Sequence, residues 1–406
     1  MTEWKTYRLG DICDLVAGFA FKSKDFGNYP NKVVKIADIQ PPVVNTNELA
    51  GVDMSYYDTN KLRKYIVTKG DYVLAMTGAT IGKLGRLTDD VEAYINQRVL
   101  TFRPIESIVD KDYLYYQLCS EKFNKYILNH IDSETAQPNI SAGSVGGFEI
   151  SLPSLEEQRR IAGILSAIDD KIENNRRINT NLELQAQALF EVWISKAKTS
   201  KGVFNDIIQT TLAGDWGQET TQGNYTHEVF CIRGADIPAL QNGDKGKMPI
   251  RYILEKNYKT KQLCANDLVI EISGGSPTQS TGRICMITQS LLDRLGKDVV
   301  CTNFCRAITP KNGYAIYIYL YWQMLYSKNT MFSYENGTTG IKNLNISDLI
   351  SKESIEIPVQ EDVEKLNVVL QPIFDQIYAN GLQNETLATI RDTLLPKLMN
   401  GEIITK

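Results

Sequence analysis

The chain has 406 residues, 43% of them hydrophobic and 23% charged, with a formal net charge of −4. These values fall in the range of globular proteins and leave room for two or three domains. No apolar run approaches the roughly 20 residues of a membrane-spanning helix, and Met1 to Leu15 lacks a signal-peptide pattern, so the cytoplasm is the expected compartment.

Residues 1–152 are rich in Tyr, Ile, Val and Thr, broken by Gly and Asn turns, and predict a mixed α/β globule of short strands. Within it, Asp112 to Ile131 is an aromatic-rich amphipathic stretch, expected to be helical and to bury its tyrosines. Residues 153–198 form a long helix. Ser154 and Glu157 make a capping box at its start, and a 4,3 heptad seam runs through Ile161, Leu165, Ile168, Ile172, Asn175, Asn179, Leu182, Ala186, Leu189 and Trp193. Residues 199–357 predict a second α/β globule, with Tyr314 to Phe332 as its aromatic helix. Residues 358–406 predict a second long helix, whose Pro372 is tolerable only near a start or at a kink.

The two halves repeat one another. Val34-Lys35-Ile36-Ala37-Asp38-Ile39 returns as Ile232-Arg233-Gly234-Ala235-Asp236-Ile237, and Gly70-Asp71-Tyr72-Val73-Leu74 as Asn266-Asp267-Leu268-Val269-Ile270. Asn96-Gln97-Arg98 with Pro104 recurs as Asn303 with Arg306 and Pro310, and Asn139-Ile140-Ser141 as Asn345-Ile346-Ser347. From Pro153 and Pro358 onward the offset is constant. The second seam is then Leu366, Leu370, Ile373, Ile377, Asn380, Asn384, Leu387, Arg391, Leu394 and Leu398. An asparagine pair at the same depth in both helices suits mutual antiparallel pairing that fixes register, or else a solvated break where the helices splay. The fold class is therefore α/β: two mixed α/β domains separated by two long helices that form an antiparallel coiled coil, with internal pseudo-two-fold symmetry.

No catalytic pattern emerges. Gly78 to Lys83 has three residues between its glycines where a phosphate loop has four, and Leu84 stands where Ser or Thr would bind magnesium. His130 and His227, the two histidines, fit no metal or triad spacing. The seven cysteines suggest buried thiols, and Cys301 and Cys305 lack a second pair at zinc-ligand spacing. Pro41-Pro42 follows Gln40 and so lacks the Asn/Asp-Pro-Pro-aromatic arrangement of amino-methyltransferases. No bound cofactor or metal is expected.

The sequence resembles the specificity subunits of Type I restriction-modification systems over essentially its whole length. The resemblance is carried by Tyr7-Arg8-Leu9-Gly10-Asp11-Ile12, Gly18-Phe19-Ala20-Phe21-Lys22-Ser23, the Thr77 through Lys83 turn, the Asn96-Gln97-Arg98 strand, Glu156-Glu157-Gln158-Arg159-Arg160-Ile161-Ala162 and Leu394-Leu395-Pro396-Lys397-Leu398-Met399-Asn400-Gly401. It implies a non-catalytic chain whose globules are target recognition domains, each reading half of a bipartite, asymmetric double-stranded DNA site. The helices would dock two modification (methyltransferase) subunits. Restriction or motor subunits would join through the complex, with S-adenosylmethionine, ATP and Mg on those partners. The second half departs from the pattern, with an insert around Ser273 to Arg283 and Glu361-Asp362-Val363 in place of the Glu-Gln-Arg run.

A DNA face on an acidic chain must be local. The expected contacts are Lys22, Lys61, Arg63, Lys64, Thr77, Lys83 and Arg86 in the first globule, and Arg233, Arg251, Thr278, Gln279, Arg283 and Lys342 in the second. Gly78, Gly82, Gly274 and Gly275 read as turn glycines. An interaction scaffold or antirestriction decoy without DNA readout is the alternative from another class. Steep salt dependence of binding separates the two.

Overall fold

The computed structural model describes residues 4–131, 138–275, 279–337 and 342–403. Two compact units emerge: residues 1–169 with 390–406, and residues 170–389. Each combines one α/β globule with part of both long helices, α1 (Leu155–Ile194) and α2 (Gln360–Met399).

In the first unit, β1 (Cys13–Ala17), β2 (Tyr72–Ala75), β3 (Leu84–Arg86) and β4 (Val99–Pro104) form a sheet in the order β1-β4-β2-β3, extended past β3 by two short strands. The second unit repeats that order with β5 (Ile208–Ala213), β6 (Leu268–Glu271), β7 (Ile284–Met286) and β8 (Cys305–Pro310), paired β5-β8-β6-β7. A parallel pair flanks each sheet, Asn31–Val34 with Ala93–Ile95 and Tyr225–Ile232 with Val299–Cys301. A two-stranded clasp closes each globule just before its helix, Lys5–Arg8 on Glu149–Leu152 and Thr199–Gly202 on Ile355–Pro358. The repeat legible in the sequence is thus a repeat of topology.

Its recurrent aspartates are turn locks. Asp38 accepts the Lys35 amide at 2.7 Å and Asp236 the Arg233 amide at 3.0 Å, while Asp71 accepts the Thr68 amide at 2.9 Å and Asp267 the Cys264 amide at 2.7 Å. A carboxylate three residues along satisfies an amide that the turn strips of its backbone partner. The Asn-Ile-Ser triplets, in contrast, do not superpose. Ser141 caps the helix Ala142–Gly146 and Asn345 caps Ile346–Lys352, so Ser141, not Asn139, is the counterpart of Asn345.

The tyrosines are core residues as expected. Asp112 to Ile131 splits into two helices at Ser120, whose hydroxyl accepts the Phe123 amide, and Tyr113, Tyr115 and Tyr116 are buried. In the second unit Ala315–Ser327 buries Tyr317, Tyr319, Tyr321 and Trp322, with Trp322 Nε1 donating to Gly282 O at 2.7 Å. All seven cysteines are free and five are buried; Cys119 and Cys264 are exposed. Burial pushes Cys231 up to about 12 and Cys305 up to about 11, so these thiols stay neutral near pH 7.

The helix seam is antiparallel. Asn175 Nδ2 donates to Asn384 Oδ1 at 2.9 Å, and Asn380 Nδ2 to Asn179 Oδ1 at 2.7 Å. All four asparagines are buried, which rules out the solvated break. Asn179 Nδ2 also donates to Ile377 O and Asn242 O, tying both helices to a loop of the globule. There α2 approaches so closely that a Cβ on Gly381 would lie 1.9 Å from Gly243 O. In the first unit the seam runs through Ile161, Leu165 and Leu398, buried in one cluster, and Arg391 meets Asp169 at 2.7 Å. Leu189 is a correction. It is 46% exposed, and Phe190 takes its place in the core. An α-helix drifts about 20° per heptad against a strict 3.5 repeat, and here the buried stripe follows the helix. Ile168, Leu182, Ile373, Leu387 and Leu394 are half-buried, whereas Ile172, Leu366, Leu370 and Ile377 are buried. Pro372 lies within α2 on its exposed side, where a carbonyl that loses its helical donor is open to water.

Two outcomes follow from this packing. Asn179→Leu strands the Asn380 amide and two carbonyls, and should lower unfolding free energy by about 1–3 kcal/mol in denaturant titrations; adding Asn380→Leu should cost less than the sum of the single changes. Glu183 of α1 is partly buried and accepts from Tyr319 Oη at 2.5 Å and Gln323 Nε2 at 2.8 Å. Burial raises its carboxyl above 4.5, and these two bonds only partly oppose the rise. The folded state therefore holds this proton more tightly than the unfolded chain. Stability falls as pH climbs from about 4.5 through the raised value. Glu183→Gln should be the more stable protein at pH 7, and that advantage should vanish below about pH 4 in the same titrations.

Candidate nucleic-acid interface

In the first unit Phe19, Phe21, Phe26, Tyr57, Tyr65 and Tyr94 pack edge to face or tilted, with centroids 5.1–6.2 Å apart. Tyr57 Oη donates to Asp25 at 2.5 Å and accepts the Lys22 amide at 3.1 Å. This pins the loop around Lys22 to the segment carrying Lys61, Arg63 and Lys64. All four cations are exposed. Lys61 shares a solvated pair with Asp58 at 3.5 Å and Lys64 lies over the Tyr65 ring, while Lys22 and Arg63 have no carboxylate partner among the described residues. Lys83 is likewise exposed and unpaired there.

Next to this surface lies a turn that the sequence presented as part of a strand. Asn96 follows Ala93–Ile95, and Gln97-Arg98 form an exposed two-residue link to β4. Gly18 and Phe19 run along it, with the Phe19 amide donating to Ile95 O at 2.9 Å; a Cβ on Gly18 would stand 2.2 Å from Asn96 O. Two distant sequence motifs therefore meet in space. Met76, Thr77, Gln97, Arg98, Asn139, Ile140 and Ser141 line a cavity of about 320 Å³ beside the turn. The Thr77 hydroxyl is buried there without a partner. Gln97, Arg98, Asn139 and Ser141 were not singled out from the sequence, although their motifs recur.

Other expected contacts are committed to the fold. Arg86 is bound to Asp112 and lies over Tyr115. Arg233 grips Asp236 through Nε at 2.9 Å and Nη2 at 3.0 Å, and also reaches Lys247 O. Arg251 is buried, 3.7 Å from the Trp216 ring centroid and 3.1 Å from Glu219. Arg283 makes a two-pronged bond to buried Glu271 at 2.8 and 2.6 Å, and Lys342 pairs with Glu335 at 3.0 Å. All five are engaged within the fold: Arg233 and Arg283 are forked onto carboxylates and have no free fork for a base or phosphate, while Arg86, Arg251 and Lys342 are each held by one carboxylate and one ring. Gln279 is exposed, and Thr278 lies outside the described residues. Gly78, Gly82 and Gly275 have positive φ, in keeping with turns, whereas Gly274 is a correction: it pairs with Lys342 in a short antiparallel strand. The histidines are also engaged: His130 stacks on Tyr126, and His227 sits between Glu255 and Asp298 at 2.7 and 2.8 Å. Among the described residues no group of His, Cys, Asp and Glu could hold a metal ion, and no helix is long and apolar enough to cross a membrane.

One α/β globule occurring twice, each copy followed by a 40-residue helix, defines a duplicated scaffold protein whose halves share a frame and differ in surface. Residues 1–184 match the family described as the Type I restriction modification DNA specificity domain. The chain is 24% identical to the HindI specificity subunit of Haemophilus influenzae over 99% of this chain and 100% of that one. It is 26% identical to the MjaIX specificity subunit of Methanocaldococcus jannaschii, over 94% and 96%. The S subunit structure from M. genitalium matches with a TM-score of 0.50 and 17% identity, covering 97% of this chain and 96% of that chain, a likeness of fold. The chain is thus similar to Type I restriction-modification specificity subunits over nearly its whole length, and its first 184 residues match their DNA specificity domain.

The split between free and committed cations is testable by denaturant unfolding. Arg283→Ala leaves Glu271 buried and uncompensated and should cost about 3–5 kcal/mol. Lys22→Ala or Arg63→Ala should each stay within about 0.5 kcal/mol of the parent.

Proposed function

We propose that this chain is the DNA-reading, non-catalytic subunit of a Type I restriction-modification complex, and that each globule reads one half of a bipartite, asymmetric target. The observation that carries this reading is a common frame with unlike surfaces: the first globule presents Lys22, Lys61, Arg63, Lys64 and Lys83 to solvent, while the corresponding cations expected of the second are locked in ion pairs. Phosphate contacts position a protein on DNA, and base-edge contacts specify the sequence. The recognition domains span 1–152 and 199–357, and the helical spacers 153–198 and 358–406.

Methyl transfer comes from modification subunits that bring S-adenosylmethionine. Cleavage and translocation, where present, come from restriction subunits that bring ATP and Mg. Apolar residues left exposed on the helices, among them Ile164, Leu184, Val192, Val368 and Val369, supply docking surface for those partners. Ile164 and Val369 occupy matching places in the repeat, which favours two modification subunits per chain. A 40-residue helix is about 60 Å long at about 1.5 Å per residue, so the helices act as a ruler for the non-specific spacer within the target.

The deciding experiment sequences the methylome of a host carrying the partner subunits, with and without this chain. A bipartite methylated motif that appears only with the chain is expected. No motif, with the partners proven active, would favour the decoy. In the purified complex, replacing Lys22, Arg63 and Lys64 together by Ala should flatten the plot of log affinity against log salt by about 0.9 for each DNA phosphate that is no longer neutralised.

A further inference from the structure

In each globule one short turn joins the parallel pair to the central sheet, and the main-chain bonds around it are the same in both. The Asn96 amide donates to Val34 O at 3.0 Å and the Thr302 amide to Ile232 O at 2.9 Å; Val99 N donates to Asn96 O at 2.8 Å and Cys305 N to Thr302 O at 2.9 Å; Met76 N donates to Arg98 O and Ile272 N to Phe304 O, both at 2.9 Å. The backbone therefore pairs Asn96 with Thr302, one position away from the match of Asn96 to Asn303 that the sequence suggests. The two tips are Gln97-Arg98 and Asn303-Phe304. All four residues are exposed, and Phe304 is 61% exposed in a unit that buries most of its aromatic rings.

We propose that this turn is the base-reading element of each globule, with Gln97 and Arg98 reading one half of the target and Asn303 and Phe304 the other. The inference rests on the DNA-reading function proposed above. Three bonds per copy fix the backbone at the end of a sheet, so the tip is presented without the ordering cost of a floppy loop. The tips then carry the residue types that read base edges: Gln and Asn match the N6 and N7 of adenine, Arg forks onto the O6 and N7 of guanine, and an exposed phenyl ring meets a thymine methyl or wedges into a base step. In the first globule the turn is flanked by the Thr77, Asn139 and Ser141 side chains around a cavity, which adds hydrogen-bonding groups beside the tip. A phosphate-anchoring role would demand a cation at both tips, and the second has none.

The test uses the full chain with its partner subunits in a host methylome. The unaltered chain must first give a bipartite motif; if it does not, the function proposed above fails, and the turn is not at issue. Gln97→Ala with Arg98→Ala should relax discrimination by about tenfold or more at positions confined to one half of the motif. Asn303→Ala with Phe304→Ala should do so in the other half alone. Arg98→Lys keeps the charge and removes the fork, so it should relax the same half as the double variant. Unchanged motifs with all three variants overturn the proposal. So does a uniform loss of methylation over all sites that Arg98→Lys restores, which is the mark of a phosphate anchor, provided the variants co-purify with their partners.

Discussion

The side-chain amide of Asn179 joins three segments that are distant in sequence. It donates to Ile377 O in α2 and to Asn242 O in the globule loop, and it accepts from Asn380. With Asn175, Asn380 and Asn384 it places four amides in a seam that in the second unit is otherwise mainly Ile, Leu, Ala and aromatic side chains. Apolar residues alone would let two heptad helices slide by a turn with little loss. The Asn179 amide does not, because any other register would strip it of the two carbonyls and the Asn380 donor that it holds in this one. The loop that follows Asn242 is held from several sides: Arg294 donates to Gly243 O and pairs with Glu385, and Lys245 also pairs with Glu385. Register of the helices and placement of that loop are consequently one constraint in the second unit.

The sequence displayed the repeat because repetition needs no knowledge of partners. Asp38 and Asp236, and Asp71 and Asp267, recur since each locks its own turn from three residues away, a range over which sequence is informative. The burial of the tyrosine-rich helices follows a similarly local rule, the aromatic-rich composition of the stretches themselves. Where the reading failed, the missing information was long-range. Arg283 stands one residue before a strand, beside Glu271, and Arg86 faces Asp112; nothing in a run of residues shows that such a cation is already matched. Leu189 fell out of the seam because a strict heptad was extended past the point where a straight helix keeps it. The turn at Gln97-Arg98 was taken for strand because β-forming residues flank it on both sides.

Net charge says little about such a molecule. The overall −4 averages over ion pairs that have internal jobs and cations that have none. Lys22 and Arg63 count the same in that sum as Arg251, which is stacked on Trp216 and buried, yet only the first two offer charge to a partner. The useful quantity is the set of exposed cations left after internal pairing, and its members differ between the two globules: Lys22, Arg63 and Lys83 in the first, Lys247 and Lys256 in the second. A symmetric reader built from two identical chains could not arrange that.

Duplication followed by divergence explains why the frame and the surface obey different rules. The bonds that hold each turn run between backbone atoms, so they tolerate replacement of Gln97-Arg98 by Asn303-Phe304 without disturbing a strand. The same holds for the cations: Lys22 and Lys64 can be gained or removed at small cost in stability because no buried partner depends on them, whereas Arg283 and Asn179 cannot. Change at turn tips and solvated loops therefore costs the fold little, whereas change at turn-locking aspartates, forked ion pairs and seam asparagines costs it much. That separation lets the surface of each globule diverge while the frame beneath it stays the same.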